Sequence, residues 1–307
     1  MKRWFAGSLL LTATFAICQP AADVHALPVR SNVYMLSGAG GNITALIGPD
    51  GLLVVDTGSA PMTDKVLAAL RKLSDKPVLY IINTSADAEH TGGNEKIAAT
   101  GKTLTGGNVA GDIADAAEGA AVFAHENVLN RMSAAKASFR ALPTETYHID
   151  QMRLSPMFHF GEAVQIVHQP AAHTDGDSMV YLRRSDVIAT GDIFNTDRYP
   201  VVDIQNGGSI NGVIDGLNRI LDLAFPEFRL EGGTLIVPGH GRLCDSADVA
   251  YYRDMVTIVR DRVQDMIKKD KTLEQIKAAR PTSDYDPRYG KGDAFVESVY
   301  KSLRQKR

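Results

Sequence analysis

Asn83-Thr84-Ser85-Ala86-Asp87-Ala88-Glu89-His90-Thr91-Gly92-Gly93-Asn94 follows directly on the apolar run Val78-Leu79-Tyr80-Ile81-Ile82, and the fold of the chain can be read outward from it. An apolar run of this length, entered from Pro77, has the signature of a strand buried on both faces. Two carboxylates and an imidazole just past its end, in a loop that tightens through Gly92-Gly93, would lie at a sheet edge where other loops converge. Upstream, Val33 to Leu36, Ile43 to Ile47 and Leu52 to Val55 read as strands joined by hairpins, the last pair across the turn Pro49-Asp50-Gly51. Pro61 then opens a helix with Val66, Leu70 and Leu73 on one face, so a β-α-β unit follows the hairpins.

Downstream the scheme recurs. Val164 to Val167, Met179 to Leu182, Val187 to Ala189 and Leu235 to Val237 are strands. One helix carries Ile210, Val213, Leu217 and Leu221, and a long amphipathic helix carries Val249, Tyr252, Val256, Val259, Val263 and Met266. Lys268 to Lys271 reads as its solvated end, and shorter helices follow. Two halves of strands and then helices imply two sheets packed face to face with helices outside. Three further strands end on a metal-ligating residue type: His173 follows Val164 to Val167, Asp192 follows Val187 to Ala189, and His240 follows Leu235 to Val237. Each lies in a glycine-rich turn, and imidazoles mixed with carboxylates suit Zn, Mn or Fe.

Composition narrows the alternatives. The chain has 307 residues, 44% of them hydrophobic and 22% charged, enough for a full core and far from a disordered profile. With 33 basic and 36 acidic residues it offers no broad attraction for a polyanion, which argues against a nucleic-acid partner. Gly38, Gly40 and Gly41 lie between two strands and form a turn, not a dinucleotide loop. Asp56-Thr57-Gly58-Ser59 has the form of an aspartic-protease signature, but no second copy exists to share the proton.

The ordered set Asp56-Thr57-Gly58, Asn83 to Asn94, Ala172-His173-Thr174, Gly191-Asp192 and Pro238-Gly239-His240-Gly241 resembles the metallo-β-lactamase superfamily. The resemblance implies an α/β fold, an αββα sandwich of two mixed β-sheets flanked by helices. It implies one or two divalent metal ions, Zn in the family, held here by Asp87, Glu89, His90, His173, Asp192 and His240, with Asp192 bridging and Glu89 and Asp192 serving catalysis. It also implies a hydrolase in which metal-bound hydroxide attacks an ester, thioester or amide carbonyl of a small molecule, β-lactams included. The family pattern His-x-His-x-Asp-His here reads Ser85-Ala86-Asp87-Ala88-Glu89-His90, so three of four ligand positions differ. Asp87 is a capable replacement, and flavodiiron relatives place a glutamate there while binding iron. Glu89 keeps the carboxylate at greater reach. Ser85 is a poor ligand, which leaves that position to water and shifts the preference toward Mn or Fe. The three carboxylates together would be costly to bury without a cation. A non-catalytic descendant that binds a metal or ligand is the rival reading.

Other polar residues invite plainer readings. His168 reads as a hydrogen-bonded strand end, His125 as a helix start, and His148 and His159 have no partner pattern, while Asn195, Tyr199 and Asn206 fall where substrate contacts would be expected. At the N-terminus, Lys2-Arg3, the apolar stretch Trp4 to Ile17 and the boundary Val24-His25-Ala26 form a signal-peptide pattern. Cleavage after Ala26 divides the chain into a signal peptide, 1–26, and one metallo-β-lactamase-like domain, 27–307, periplasmic or secreted and free of the membrane after processing. Ile17 before Cys18 makes a poor lipoprotein box. The mature chain would keep 31 basic and 35 acidic residues and the single cysteine Cys244, hence no internal disulfide.

Overall fold

The computed structural model describes residues 23–102, 119–154, 161–224 and 232–305. The N-terminal apolar stretch, Cys18 and His159 lie outside the described residues. Among the described residues, twelve strands build two sheets: β1 His25–Arg30, β2 Val33–Ala39, β3 Gly41–Ile47, β4 Leu52–Val55, β5 Val78–Ile82, β6 Ala121–His125 and β7 Glu145–Tyr147 in one, β8 Gln151–Leu154, β9 Val164–His168, β10 Ser178–Leu182, β11 Val187–Ala189 and β12 Leu235–Val237 in the other. The first sheet runs in chain order and the second runs β12-β11-β10-β9-β8. The helices are α1 Thr63–Leu73, α2 Ala88–Thr91, α3 Asn94–Ala99, α4 Glu126–Ala134, α5 Ile210–Leu223, α6 Ser246–Lys268, α7 Leu273–Ala278, α8 Asp286–Tyr289 and α9 Asp293–Arg304.

Three packed cores between four layers follow from the period-two alternation of side chains along each strand. Val33, Met35, Leu53, Val55, Val180, Leu182 and Val187 face the space between the sheets and form one core. Their neighbours Leu36, Leu52, Val54 and Ile81 face the opposite way and pack with Val66 and Leu70 of α1 and Ile97 of α3. On the far side, Met179, Tyr181, Ile188 and Ile236 pack against α5, α6 and α9 through Leu217, Val256 and Val299. Both faces of the central strands are therefore dry, which is why they read as unbroken apolar runs. This is an αββα sandwich.

Strand direction positions the site. The hairpins β1 to β4 are antiparallel, but β4, β5, β6 and β7 pair in parallel, as do β11 and β12. Parallel pairing carries the C-terminal ends of the strands to one edge. Val55 pairs with Ile82, so Asp56 and Asn83 leave the sheet side by side; Ala189 pairs with Val237, so Asp192 and His240 each follow three residues after a paired position. β1 starts at His25 and its ladder includes His25 with Ser37 and Ala26 with Leu36; cleavage after Ala26 would leave Leu27, Pro28 and Arg30 in the ladder.

Candidate metal centre

His90 rides on the one-turn helix α2 and is fully buried, with its ring clamped on both sides. Nδ1 lies 2.8 Å from Asp56 Oδ2, and Nε2 lies 3.1 Å from Asp192 Oδ2. Asp56 is itself fixed by Thr84, which donates its backbone N–H to Oδ1 at 2.8 Å and its hydroxyl to Oδ2 at 2.7 Å. The backbone of Asp56 is left-handed, with φ of 65°, a conformation that an acidic or amide side chain tolerates better than most. The Asp-Thr-Gly element is thus the outer support of a histidine, and that role is invisible in the sequence because the partners are 34 residues apart.

The other groups close around this axis. His240 Nε2 lies 3.0 Å from Glu89 Oε1 and 3.4 Å from Asp192 Oδ1. His173 Nε2 lies 2.8 Å from Asp87 Oδ2, while its Nδ1 donates to the Val201 carbonyl at 2.9 Å. Space is tight enough that a Cβ on Gly239 would sit 2.6 Å from Asp192 Oδ1, so only glycine fits there. The six residues form two groups that share Asp192: Glu89, His90, Asp192 and His240 in one, Asp87, His173 and Asp192 in the other, each with ligand atoms within 4.8 Å of one another. Ser85 is buried, and its hydroxyl accepts from the Asp87 backbone N–H at 3.3 Å.

The donor set fits divalent cations on two grounds. Asp192 Oδ1 is buried and makes no hydrogen bond, the His240 ring approaching it only loosely at 3.4 Å, a costly state for a carboxylate oxygen. The Nδ1 atoms of His90 and His173 already face acceptors, so their Nε2 lone pairs would point at carboxylate oxygens unless a proton or a cation lay between. Without a cation the rings must hold the second proton. Burial opposes the charge on His173, but the Asp87 hydrogen bond and the charges of Asp177 and Asp192 outweigh it and push the group up to about 10. His90 is likewise held well above its ordinary value, burial being overcome by Asp192 and Asp56. Asp192 is held low although burial opposes ionisation, because His90, His173 and His240 surround it. The hydrogen bond from His173 lowers Asp87, and that from His240 lowers Glu89.

One segment ties the two groups together. Asn195 forms a parallel bridge with His240, Thr196 N–H donates to the His240 carbonyl at 3.1 Å, and Val201 O accepts from His173. The middle of this arch is pinned by Tyr252 Oη, which donates to Arg198 O at 3.0 Å, and by Tyr199 Oη, which donates to Asp286 Oδ1 at 2.9 Å. Tyr199 is buried in the helix-side core and Asn206 donates to Asp203 in a turn, so both hold the loop instead of facing the pocket. His168 is the strand end the sequence implied, 2.8 Å from Asp175 O. His125 caps α4 by accepting from Asn127 N–H at 3.3 Å, and its ring stacks on His168 at 3.7 Å. Burial of the Arg198 guanidinium opposes its charge, but the hydrogen bond and charge of Asp197, together with Glu89 and Asp192, hold it above its ordinary range.

The family model of the metallo-beta-lactamase superfamily matches residues 36–242. The chain belongs to this superfamily. A curated relative, the linear primary-alkylsulfatase of Pseudomonas sp. (strain ATCC 19151), is 23% identical over 293 residues, which is 82% of this chain and 54% of the relative. The chain thus spans about half the length of that relative. Among solved structures, the stereoselective inverting sec-alkylsulfatase Pisa1 from Pseudomonas sp. superposes with a TM-score of 0.67 at 15% identity, covering 91% of this chain and 50% of the other. The DIM-1 metallo-beta-lactamase superposes with a TM-score of 0.57 at 14% identity, covering 76% of this chain and 97% of the other. These likenesses agree with the αββα sandwich seen here.

Proposed function

We propose that the protein is an exported metal-dependent hydrolase of small-molecule esters, with the Glu89, His90, Asp192 and His240 group as its principal metal site. The observation that carries this reading is the pair of donor groups sharing Asp192, one of whose buried carboxylate oxygens makes no hydrogen bond. Among the His, Cys, Asp and Glu side chains of the described residues, four form the first group, whereas Asp87 and His173 make up the second together with Asp192. Divalent ions bound there would supply Lewis acidity, acidifying water and polarising the group to be cleaved.

The chain's own residues do the rest. Asp56 and the Val201 carbonyl hold the His90 and His173 rings so that Nε2 faces the pocket. Asp192 joins the two groups. Glu89 reaches the pocket from α2 with a half-exposed carboxylate, placed to orient the attacking water and accept its proton. Sulfate esters enter the substrate class from the alkylsulfatase relatives, beside the carbonyl esters, thioesters and amides expected from the superfamily. Zn is the family metal, and Asp87 in place of imidazole favours Mn or Fe.

Ser85 supports a second reading, a metal-binding descendant without turnover, because a neutral hydroxyl stands where the superfamily pattern has an imidazole. The experiment is purification without chelators, metal analysis, and assays with 4-nitrophenyl sulfate, 4-nitrophenyl acetate and a chromogenic β-lactam. Metal with hydrolysis of any of these supports the first reading, and metal without hydrolysis the second. A protein that binds no divalent ion refutes both.

A further inference from the structure

Strands β2 and β3 join at Gly40, and the turn reaches both halves of the four-donor group. On one side it presses against α2. A Cβ on Gly41 would sit 2.9 Å from Cε1 of His90 and 3.1 Å from the Glu89 carbonyl oxygen, and one on Gly40 would sit 3.4 Å from Cβ of Glu89. The His90 ring, clamped at both nitrogens, has no room to yield. Gly41 therefore meets the ligand-bearing helix with bare backbone.

On the other side Asn42 holds the loop that carries His240. Its buried side-chain amide donates to two carbonyls, that of Pro238 at 2.9 Å and that of Gly241 at 3.0 Å, and its backbone N–H donates to the Gly239 carbonyl at 2.8 Å. The His240 carbonyl accepts from Thr196 N–H at 3.1 Å. All four carbonyls from Pro238 to Gly241 are thus taken, three of them by Asn42. His90 and His173 are each oriented from outside through Nδ1, by Asp56 and by the Val201 carbonyl, whereas Nδ1 of His240 has no hydrogen-bond partner among the described residues. The direction of its Nε2 toward Glu89 and Asp192 is then set by the backbone of its loop.

We propose that Gly40-Gly41-Asn42 is the spacer of the four-donor group, with Asn42 the positioning residue for His240. The glycines fix how closely α2 approaches, and the amide fixes the loop that faces it. The proposal rests on the metal-dependent reading above and assigns a task within that site. An NH2 group can donate to two carbonyls at once. A carboxylate of the same shape would set acceptors against acceptors, and alanine would leave both carbonyls without this donor inside the protein. The hydrogen bonds of the Asn42 amide reach none of the six donor side chains, so it acts through the His240 backbone.

The test is competition for Zn between the chain and a chromogenic chelator, at a temperature where circular dichroism shows the metal-free protein folded. Affinity read on folded protein does not move with folding stability alone, so it separates placement of His240 from general support. Asn42→Ala and Asn42→Asp should each weaken Zn binding roughly 10- to 100-fold, the range for removing an outer partner of a metal ligand. Asn42→Gln, which keeps both N–H donors on a longer stem, should regain part of that loss. Gly41→Ala, at a position where φ is not positive, wedges the group from the α2 side and should also weaken Zn. It decides the matter if the Asn42 variants do not fold. Asn42→Ala and Asn42→Asp proteins that compete as well as the parent would overturn the assignment, and so would a parent-like Gly41→Ala protein. A parent that binds no Zn would remove the metal reading as well, whereas parent-like variants of a Zn-binding parent would remove only the spacer.

Discussion

Asp56→Asn isolates the least visible part of the site. The substitution keeps shape, volume and tolerance of the left-handed backbone at φ of 65°. One amide oxygen can still accept from the Thr84 backbone N–H, but the new NH2 then faces His90 Nδ1 and the Thr84 hydroxyl, both of which now donate to Oδ2. The hydroxyl can rotate and accept. The ring nitrogen can accept only if its proton moves to Nε2, which removes the lone pair that faces Asp192. One charge-assisted hydrogen bond, about 1.5–3 kcal/mol, is lost in the state that binds metal. At 1.4 kcal/mol per tenfold that corresponds to roughly 10- to 100-fold in metal affinity, the usual range for removing an outer carboxylate. Competition against a chromogenic chelator measures it, with thermal unfolding of metal-free samples as the control for folding. Asp56→Asn protein that competes as well as the parent would refute the claim that Asp56 sets the His90 tautomer.

Ser85→His with Asp87→His restores two imidazoles beside His173 and should raise Zn affinity in the same chelator competition; no gain would mean these positions do not face the metal. His125 is lowered to about 4, burial being the main cause and the neighbouring His168 the next. Its folded value lies below the unfolded one, so its share of stability is present above about pH 6.5 and lost as pH falls toward 4. Protonation would also displace the Asn127 N–H that His125 caps. His125→Asn, which keeps a capping acceptor, should flatten that acid limb in pH-dependent melting curves, and an unchanged limb would assign it to other groups. Export should leave Leu27 as the first residue by mass spectrometry, and an intact Met1 on exported protein would contradict the cleavage site.

Central strands such as Val78 to Ile82 and Val187 to Ala189 were legible because burial on both faces leaves apolar runs, but the equally buried β6, Ala121–His125, was missed. The strands β7 and β8 escaped for the opposite reason: each lies at an edge and exposes residues such as Glu145, Gln151 and Arg153, so no run forms. Ligand types at strand ends were also legible, since Gly-Asp and Gly-His turns mark where parallel strands stop. Their outer supports were not. The contact of Asp56 with His90 and the arch from His240 to His173 depend on strand register and loop path, which no local pattern encodes. Tyr199 shows the same limit: its place in the loop after Asp192 was read correctly, but its side chain turns into the core beside Phe295.

The most direct test of the account is the metal content of the native chain and of His240→Ala, purified in parallel without chelators and dialysed against a shared divalent-metal buffer. His240 contacts both Glu89 and Asp192 in the four-donor group, so its removal opens that group while leaving Asp87 and His173 in place. The native chain should retain at least one tightly held ion, and His240→Ala should lose it and melt at a lower temperature, since ligand bound to the folded state adds stability by mass action. A native chain free of metal, or a His240→Ala chain that keeps its full complement, would contradict the account.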